Sequence, residues 1–425
     1  MNDPYTVTAI LVERRHRGEK SRIAELNRLA LDAGYTVIDV LEQIGAPNSA
    51  FQIGKGKVKE LVELVNQISP TKVIFENELK PTQVYNLQKK LNCEVISKTE
   101  LILEIFALRA GSKESKLQIE LARLKYELPR MKEYVSLSKK TELPGFHGPG
   151  GYAIEKHYES AKNKIKKIEN KLEQYRKRRT VIRTRRKKLD FSLVALMGYT
   201  NSGKSSLLNA LTESSVPVAN KLFTTLSTFT RLLNIRGRKI LITDTVGLVD
   251  GLSHEMIRAF HSTLEEINLA DVVAILVDLS DTKDEIIRKY SVCLQTLKEI
   301  TVSMNSYFVI ANKIDRCDEF EIKEKMQLFR DKVCIPASAL QGVNLNRIKE
   351  TIIDFLPSIK RAFITVPSNG EVMSFISWLY DQTHVLDQQN LNSEISFEIE
   401  ASSHVIARAK KYVTNLNGSF IIQME

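Results

Sequence analysis

Long apolar runs are missing from this 425-residue chain. No stretch approaches 18 consecutive apolar residues, which excludes a membrane-spanning helix on hydropathy grounds. Cysteine is scarce as well: Cys93, Cys293, Cys317 and Cys334 are scattered, with no CxxC pair. That spacing argues against a zinc site and a disulfide frame, and reduced thiols in a cytoplasmic protein are expected. The opening Met1-Asn-Asp-Pro4 lacks the charged and apolar regions of a secretory signal, in line with the same expectation. Acidic residues are sparse in one place. Residues 155–188 hold 15 Lys and Arg against 4 Asp and Glu, a surplus that equals the +11 of the whole chain. The rest of the chain therefore sums to zero, and the basic segment reads as a docking surface for a polyanion.

The sharpest pattern present is Gly198-Tyr-Thr-Asn-Ser-Gly203-Lys204-Ser205, which follows the apolar run 191–197 and leads into Ser206-Leu-Leu-Asn-Ala-Leu211. Strand, loop and helix in this order carry the GxxxxGK[ST] spacing of a phosphate-binding loop. Glycines at its two ends allow backbone torsions closed to other residues, so the loop's N–H groups and the helix end converge on phosphate oxygens. Gly198, Asn201, Ser202, Gly203, Lys204, Ser205 and Ser206 are the candidate phosphate contacts. Lys204 would meet the outer phosphates, and the Ser205 hydroxyl would take a Mg²⁺ position.

The motifs that follow say which nucleotide is meant. Lys221-Leu-Phe-Thr-Thr-Leu-Ser-Thr228 is a Thr-rich candidate switch, in which Thr225 would complete the Mg²⁺ shell when a γ-phosphate is present. The apolar run 239–243 ends in Asp244-Thr-Val-Gly247. A carboxylate at that strand end can hold the metal side of the site, and the Gly247 N–H can reach the γ-phosphate. Thr225 and Gly247 are accordingly the candidate catalytic residues, and Ser205, Thr225 and Asp244 the candidate metal ligands. Apolar runs at 272–277 and 307–311 read as buried strands, the second entering Asn312-Lys313-Ile-Asp315. An ionised Asp315 only accepts hydrogen bonds, so its best base partner offers two donors side by side. Guanine does so, whereas adenine presents an acceptor there. Ser338-Ala339-Leu340, after a strand at 333–335, can complete the base site with Asn312, Lys313 and Asp315.

Four domains are expected, making an α/β multidomain protein. Residues 1–109 read as an α/β domain, with strands at 6–12, 35–41, 72–75 and 94–96 alternating with helices at 20–33, 58–68, 81–91 and 99–109. Its Gly54-Lys-Gly-Lys57 offers a second phosphate site as one reading and a basic turn entering a helix as the other, the turn being favoured because the full phosphate-loop spacing is missing. Residues 110–189 switch to heptad rhythm. Leu117, Leu121, Leu124, Leu128, Met131 and Val135 are answered by Ile154, Tyr158, Ala161, Ile165, Ile168, Leu172 and Tyr175. This predicts an antiparallel helical hairpin, kinked at Pro129, with a tip at 143–151 that continues neither helix. Residues 190–361 form the nucleotide domain, a mainly parallel sheet with helices on both faces. Residues 362–425 form a small α+β interaction module with no catalytic spacing.

These stretches resemble the HflX-type GTPases, a translation-factor-related class, and the tip looks like that of archaeal members. Beyond the general motifs, the resemblance rests on Ile53-Gly-Lys-Gly-Lys-Val58, Lys116-Leu-Gln-Ile-Glu-Leu-Ala122, Leu128-Pro-Arg130, Phe223-Thr-Thr-Leu226 and Ala259-Phe-His-Ser-Thr-Leu-Glu-Glu266. It implies a P-loop GTPase fold, GTP and GDP as ligands, and Mg²⁺ as cofactor. It also implies docking on the large ribosomal subunit and its rRNA through the basic hairpin, in ribosome rescue or splitting, with hydrolysis stimulated there. An ATP site in the N-terminal domain is a further implication. Leu248 follows the DxxG motif where many GTPases carry a water-orienting glutamine. Slow intrinsic turnover is therefore expected, and Asn201 stands where some GTPases use a bound K⁺ ion. Two other readings compete with ribosome docking. One is a regulatory GTPase held on anionic lipid by the basic helix; the other is an RNA-binding protein with a structural GTP site.

Overall fold

The computed structural model describes residues 7–141, 149–188, 191–212, 229–235, 238–245, 247–248, 266–300, 306–357, 359–368, 372–391 and 393–423. The chain forms two compact units, one running up to residue 176 and one built mainly from residue 177 onward.

In the first unit, strands β1 (Thr8–Arg15), β2 (Thr36–Ile44), β3 (Lys72–Phe75) and β4 (Glu94–Ser97) form a wholly parallel sheet in the order β2-β1-β3-β4. Helices α1 (Ile23–Asp32), α2 (Lys55–Ile68), α3 (Pro81–Leu91) and α4 (Lys98–Arg109) make the crossovers. On one face Ile10, Val12, Val73 and Phe75 pack with Leu61 and Leu87, all buried. Pro81 opens α3, a position where its missing N–H costs nothing. The first turn of α4 is closed by Glu100, whose carboxylate accepts the Ser97 N–H at 2.9 Å. Gly54 is the residue before α2 and donates its N–H to Gln43 Oε1 at 2.8 Å, while Lys57 pairs with Glu60 at 2.8 Å. The Gly-Lys repeat is thus a basic turn entering a helix.

The heptads form two long helices, α5 (Lys113–Thr141) and α6 (Pro149–Lys188). Leu121, Ile165 and Ile168 are buried between them, flanked by Leu117, Leu124, Leu128 and Leu172. These contacts lie midway along both helices. The short connection, at roughly 3.5 Å per residue, cannot return the chain to the start of α5, so the pair is antiparallel. Lys125 pairs with Glu169 at 2.7 Å and Lys164 with Glu120 at 2.5 Å across the seam. Helix α5 continues through Pro129. The predicted tip is partly corrected, because Pro149, Gly150 and Gly151 form the first turn of α6, where proline at the start is favourable. The other tip positions lie outside the described residues.

A polar network fixes α5 to the sheet domain. The Tyr126 hydroxyl lies 2.8 Å from Ser97 Oγ, donates to Glu78 Oε2 at 2.9 Å and accepts from Arg130 at 2.8 Å. The Arg130 guanidinium also bonds Glu100 and lies 4.4 Å from the centre of the Tyr126 ring. Burial, aided by Glu78, pushes the Tyr126 phenol far above its ordinary range, so it stays protonated as a donor.

In the second unit, strands β5 (Ser192–Gly198), β6 (Phe229–Ile235), β7 (Arg238–Asp244), β8 (Val272–Asp278), β9 (Ser306–Asn312) and β10 (Cys334–Pro336) give the order β10-β9-β8-β5-β7-β6. Only β6 is antiparallel. Central β5 is buried at every residue, as a strand covered on both faces must be. Helices α7 (Lys204–Thr212), α8 (Lys283–Ile300), α9 (Glu319–Met326) and α10 (Leu345–Phe355) accompany this sheet. The chain ends in an antiparallel sheet of β11 (Ile359–Pro367), β12 (His384–Leu391), β13 (Glu394–Ser402) and β14 (Ser419–Ile422), in the order β12-β13-β11-β14. Helices α11 (Val372–Gln382) and α12 (Ser403–Asn415) cover it, with Ile364, Phe397, Phe375 and Val413 in the core.

Arg130→Met removes a cation from a part-buried network and strands Glu100. We expect a loss on the order of 2 kcal/mol, read as roughly 30-fold faster hydrogen exchange in α4 and α5. Lys125→Met, which breaks a half-exposed pair, should cost less than about 0.5 kcal/mol. Equal effects of the two substitutions would show that the network does not fasten the helix.

Candidate nucleotide site

The C-terminal ends of β5, β7, β8 and β9 converge on one edge of the parallel sheet, where open α/β sheets bind ligands. Between β5 and α7 the loop turns through Asn201 and Gly203, both left-handed at φ 61° and 95°. A Cβ on Gly203 would also overlap Asn312 Nδ2, and one on Gly198 would lie 2.6 Å from the Leu276 carbonyl oxygen. Both glycines of the spacing are therefore demanded by close approach. Ser202 is buried, and Ser206 is partly exposed in the first turn of α7.

Lys204 is buried, with its ammonium donating to the Gly198 and Tyr199 carbonyls at 3.1 Å each. Burial pulls its pKa below the ordinary lysine range, and nearby Asp244 opposes that pull. A polyphosphate would supply the counter-charge that this environment favours. The Ser205 hydroxyl donates to Asp244 Oδ2 at 2.7 Å, so the loop and the β7 end meet as hydroxyl and carboxylate. Hard oxygen donors of this kind suit Mg²⁺. Thr245, which the sequence reading passed over, donates its hydroxyl to the Leu196 carbonyl at 2.7 Å and joins the β7 end to β5. Gly247 and Leu248 are buried. Thr225 lies outside the described residues.

Asn312 occupies the centre. Its Nδ2 donates to the Ser202 carbonyl at 2.8 Å, and its Oδ1 accepts the Ala339 N–H at 3.0 Å. One side chain therefore holds the phosphate loop and the 338–340 loop at a fixed spacing. Asp315 accepts from the buried Ser338 hydroxyl at 2.5 Å, and Ser338 Oγ in turn accepts the Gln341 N–H at 3.1 Å. This contact aims the carboxylate and leaves it an acceptor for a base. Lys313, at φ 68°, pairs with Asp278 at 2.5 Å. Asp278 was absent from the expected set. Its position at the end of the apolar run 272–277 was the available signal. Leu340 is 80% exposed, so its backbone rather than its side chain is the part suited to a base.

Asn312→Ala removes both bridges and leaves two backbone groups without their partner. Nucleotide affinity is expected to fall roughly 10- to 100-fold, or about 1–3 kcal/mol, and the melting temperature of the nucleotide-free protein to fall with it. Asp315→Asn places a donor beside the accepting position and should shift preference from guanine toward xanthine nucleotides. Competition between GTP and xanthosine triphosphate checks this, and unchanged preference would remove Asp315 from the base site.

The chain matches three family models: "GTP-binding GTPase N-terminal" over residues 20–107, "GTP-binding GTPase Middle Region" over 109–186 and "50S ribosome-binding GTPase" over 193–313. GTPase HflX of Thermococcus kodakarensis is 40% identical over 363 residues, 85% of this chain and 82% of that protein. The Methanocaldococcus jannaschii GTPase HflX is 38% identical over 410 residues, 96% of this chain and 97% of that protein. Among solved structures, a GTP-binding protein from Sulfolobus solfataricus in complex with GDP is 29% identical, covering 82% of this chain and 98% of that one, at a TM-score of 0.44. The two relatives match at high identity along most of their length, and the three models tile the chain from residue 20 to 313: it belongs to the HflX family of GTPases.

Proposed function

We propose that this GTPase is a nucleotide switch that docks on the large ribosomal subunit through α6, acting in ribosome rescue, splitting or a related step of translation control. The observation that carries this reading is the charge of α6. Its whole surplus of 11 positive charges lies within residues 155–188. Ala161, Ile165 and Ile168 are buried while Lys162, Lys166, Lys167, Lys171 and Lys177 face solvent. A helix that lies on lipid needs an apolar face beside its cations. Here the apolar stripe is spent inside the hairpin, which favours a ribonucleic polyanion over a membrane. Among the described residues, no helix is long and apolar enough to cross a membrane.

In the proposed cycle Lys204 and the loop N–H groups hold the phosphates, and Asn312, Asp315 and the 338–340 backbone hold guanine. Ser205, Asp244 and Thr225 would hold Mg²⁺, which when bound neutralises phosphate charge. Thr225 and the Gly247 segment would respond to the γ-phosphate. Leu248 cannot orient a water, so turnover is slow until another group is supplied, by the ribosome or by K⁺ beside Asn201.

GTP turnover with and without purified large ribosomal subunits tests this. Stimulation of tenfold or more is expected, with loss of stimulation when Arg176, Lys177, Arg178 and Arg179 are all changed to Glu. Normal GTP binding without stimulation would leave the GTPase and remove the ribosome as its partner. Equal turnover in Na⁺ and K⁺ buffers would remove the potassium role of Asn201.

A further inference from the structure

The loop residue Tyr199 falls between the two glycines, where the GxxxxGK[ST] spacing asks for no particular side chain. In this chain it is buried, 5% exposed, with two cations on its ring. Arg288 lies 5.4 Å and Lys289 5.3 Å from the ring centre, both within cation–π range. Both belong to α8 and are held from outside the loop, Arg288 by Glu285 at 2.7 Å and Lys289 by Asp281 at 2.6 Å. One turn beyond Lys289 on the same helix, Cys293 is 1% exposed and lines the same small cavity as Tyr199. The Tyr199 carbonyl meanwhile accepts both Lys204 Nζ at 3.1 Å and the Ser202 N–H at 3.2 Å. This residue thus faces α8 with its ring, and faces the phosphate side of the loop with its carbonyl.

We propose that Tyr199 is a positioning residue that clamps the phosphate loop to α8, so that the rate of nucleotide release depends on that helix. A ring held against two fixed cations keeps its carbonyl aimed at Lys204 and Ser202. If the ring loosens, the lysine and the loop N–H groups lose their shared reference point. The contact needs an aromatic face and not merely volume, because the cations are attracted to the ring quadrupole. Phenylalanine presents the same aromatic face to the cations, whereas leucine presents none.

The test measures dissociation of N-methylanthraniloyl-GDP, and KM and kcat for GTP, in the full chain. Tyr199→Leu is expected to speed GDP release about tenfold and to raise KM more than it changes kcat. Tyr199→Phe should restore slow release. The Arg288→Met/Lys289→Met double variant, which leaves Tyr199 in place, should speed release in the same direction as Leu. A second readout is alkylation of Cys293, mapped by peptide mass spectrometry. Burial pushes this thiol up to about 12 and shields it, and it should become modifiable in Tyr199→Leu but not in Tyr199→Phe. Slow release in Tyr199→Leu would show that the ring is only filler and overturn the proposal. If the Leu variant fails to fold, the double variant decides, since parental release from a normally melting Arg288→Met/Lys289→Met protein overturns it as well.

Discussion

The Asn312 carboxamide has one donating and one accepting end, and here each is committed to a different loop. Its Nδ2 holds the Ser202 carbonyl, and its Oδ1 holds the Ala339 N–H. At 2% exposure, a lost partner is not replaced by water, so each contact left unmade costs on the order of 1–3 kcal/mol. This fixes the distance between the phosphate end of the site and the base end. It also explains the second glycine, because any side chain on Gly203 would fall on that carboxamide. The loop spacing and the asparagine of NKxD, read separately along the chain, are two halves of one steric requirement.

The same logic of buried polar pairs extends outward. Ser205 with Asp244, Ser338 with Asp315 and Thr245 with the Leu196 carbonyl each tie the segment at or beyond one strand end to a neighbouring element at 2.5–2.7 Å. The parallel sheet supplies the geometry. Its strands start in the core and deliver their last residues to one edge, so groups far apart in sequence arrive together. No such collection is required of the terminal antiparallel sheet, whose strands alternate in direction and whose core is an ordinary apolar one.

Legibility from the sequence followed the strength of the local signal. The buried strands β5, β8 and β9 are continuous apolar runs and were readable, as were α3 with its opening proline and the heptads of α5 and α6. Two strands were not. The stretch of β12, His384-Val-Leu-Asp-Gln-Gln-Asn-Leu391, is polar because an edge strand facing water needs little apolar surface. Likewise β6 lies at an edge and is held by its pairing with β7 more than by its own composition. In the site, the phosphate and base residues were legible because their spacing is the mechanism. Asp278 and Tyr199 were not, since what defines them is the company of Lys313 in one case and of Arg288 and Lys289 in the other. Those partners come from elements distant in sequence.

The charge of α6 poses a separate physical question, namely how a helix tolerates it. In the first half, Glu169 answers Lys125 and Glu120 answers Lys164 across the hairpin. After Glu173 no acidic residue occurs before the helix ends at Lys188, while nine Lys and Arg do. Arg176 pairs with Glu173 at 3.9 Å, yet one carboxylate cannot neutralise a run this dense, and like charges closer than roughly 8 Å are little screened at physiological salt. Solubility alone does not call for so dense a run on one helix, and a hairpin built only for stiffness would distribute both signs along its faces. The arrangement stores repulsion that a phosphate backbone would relieve, and it does so on the element whose apolar stripe is already buried.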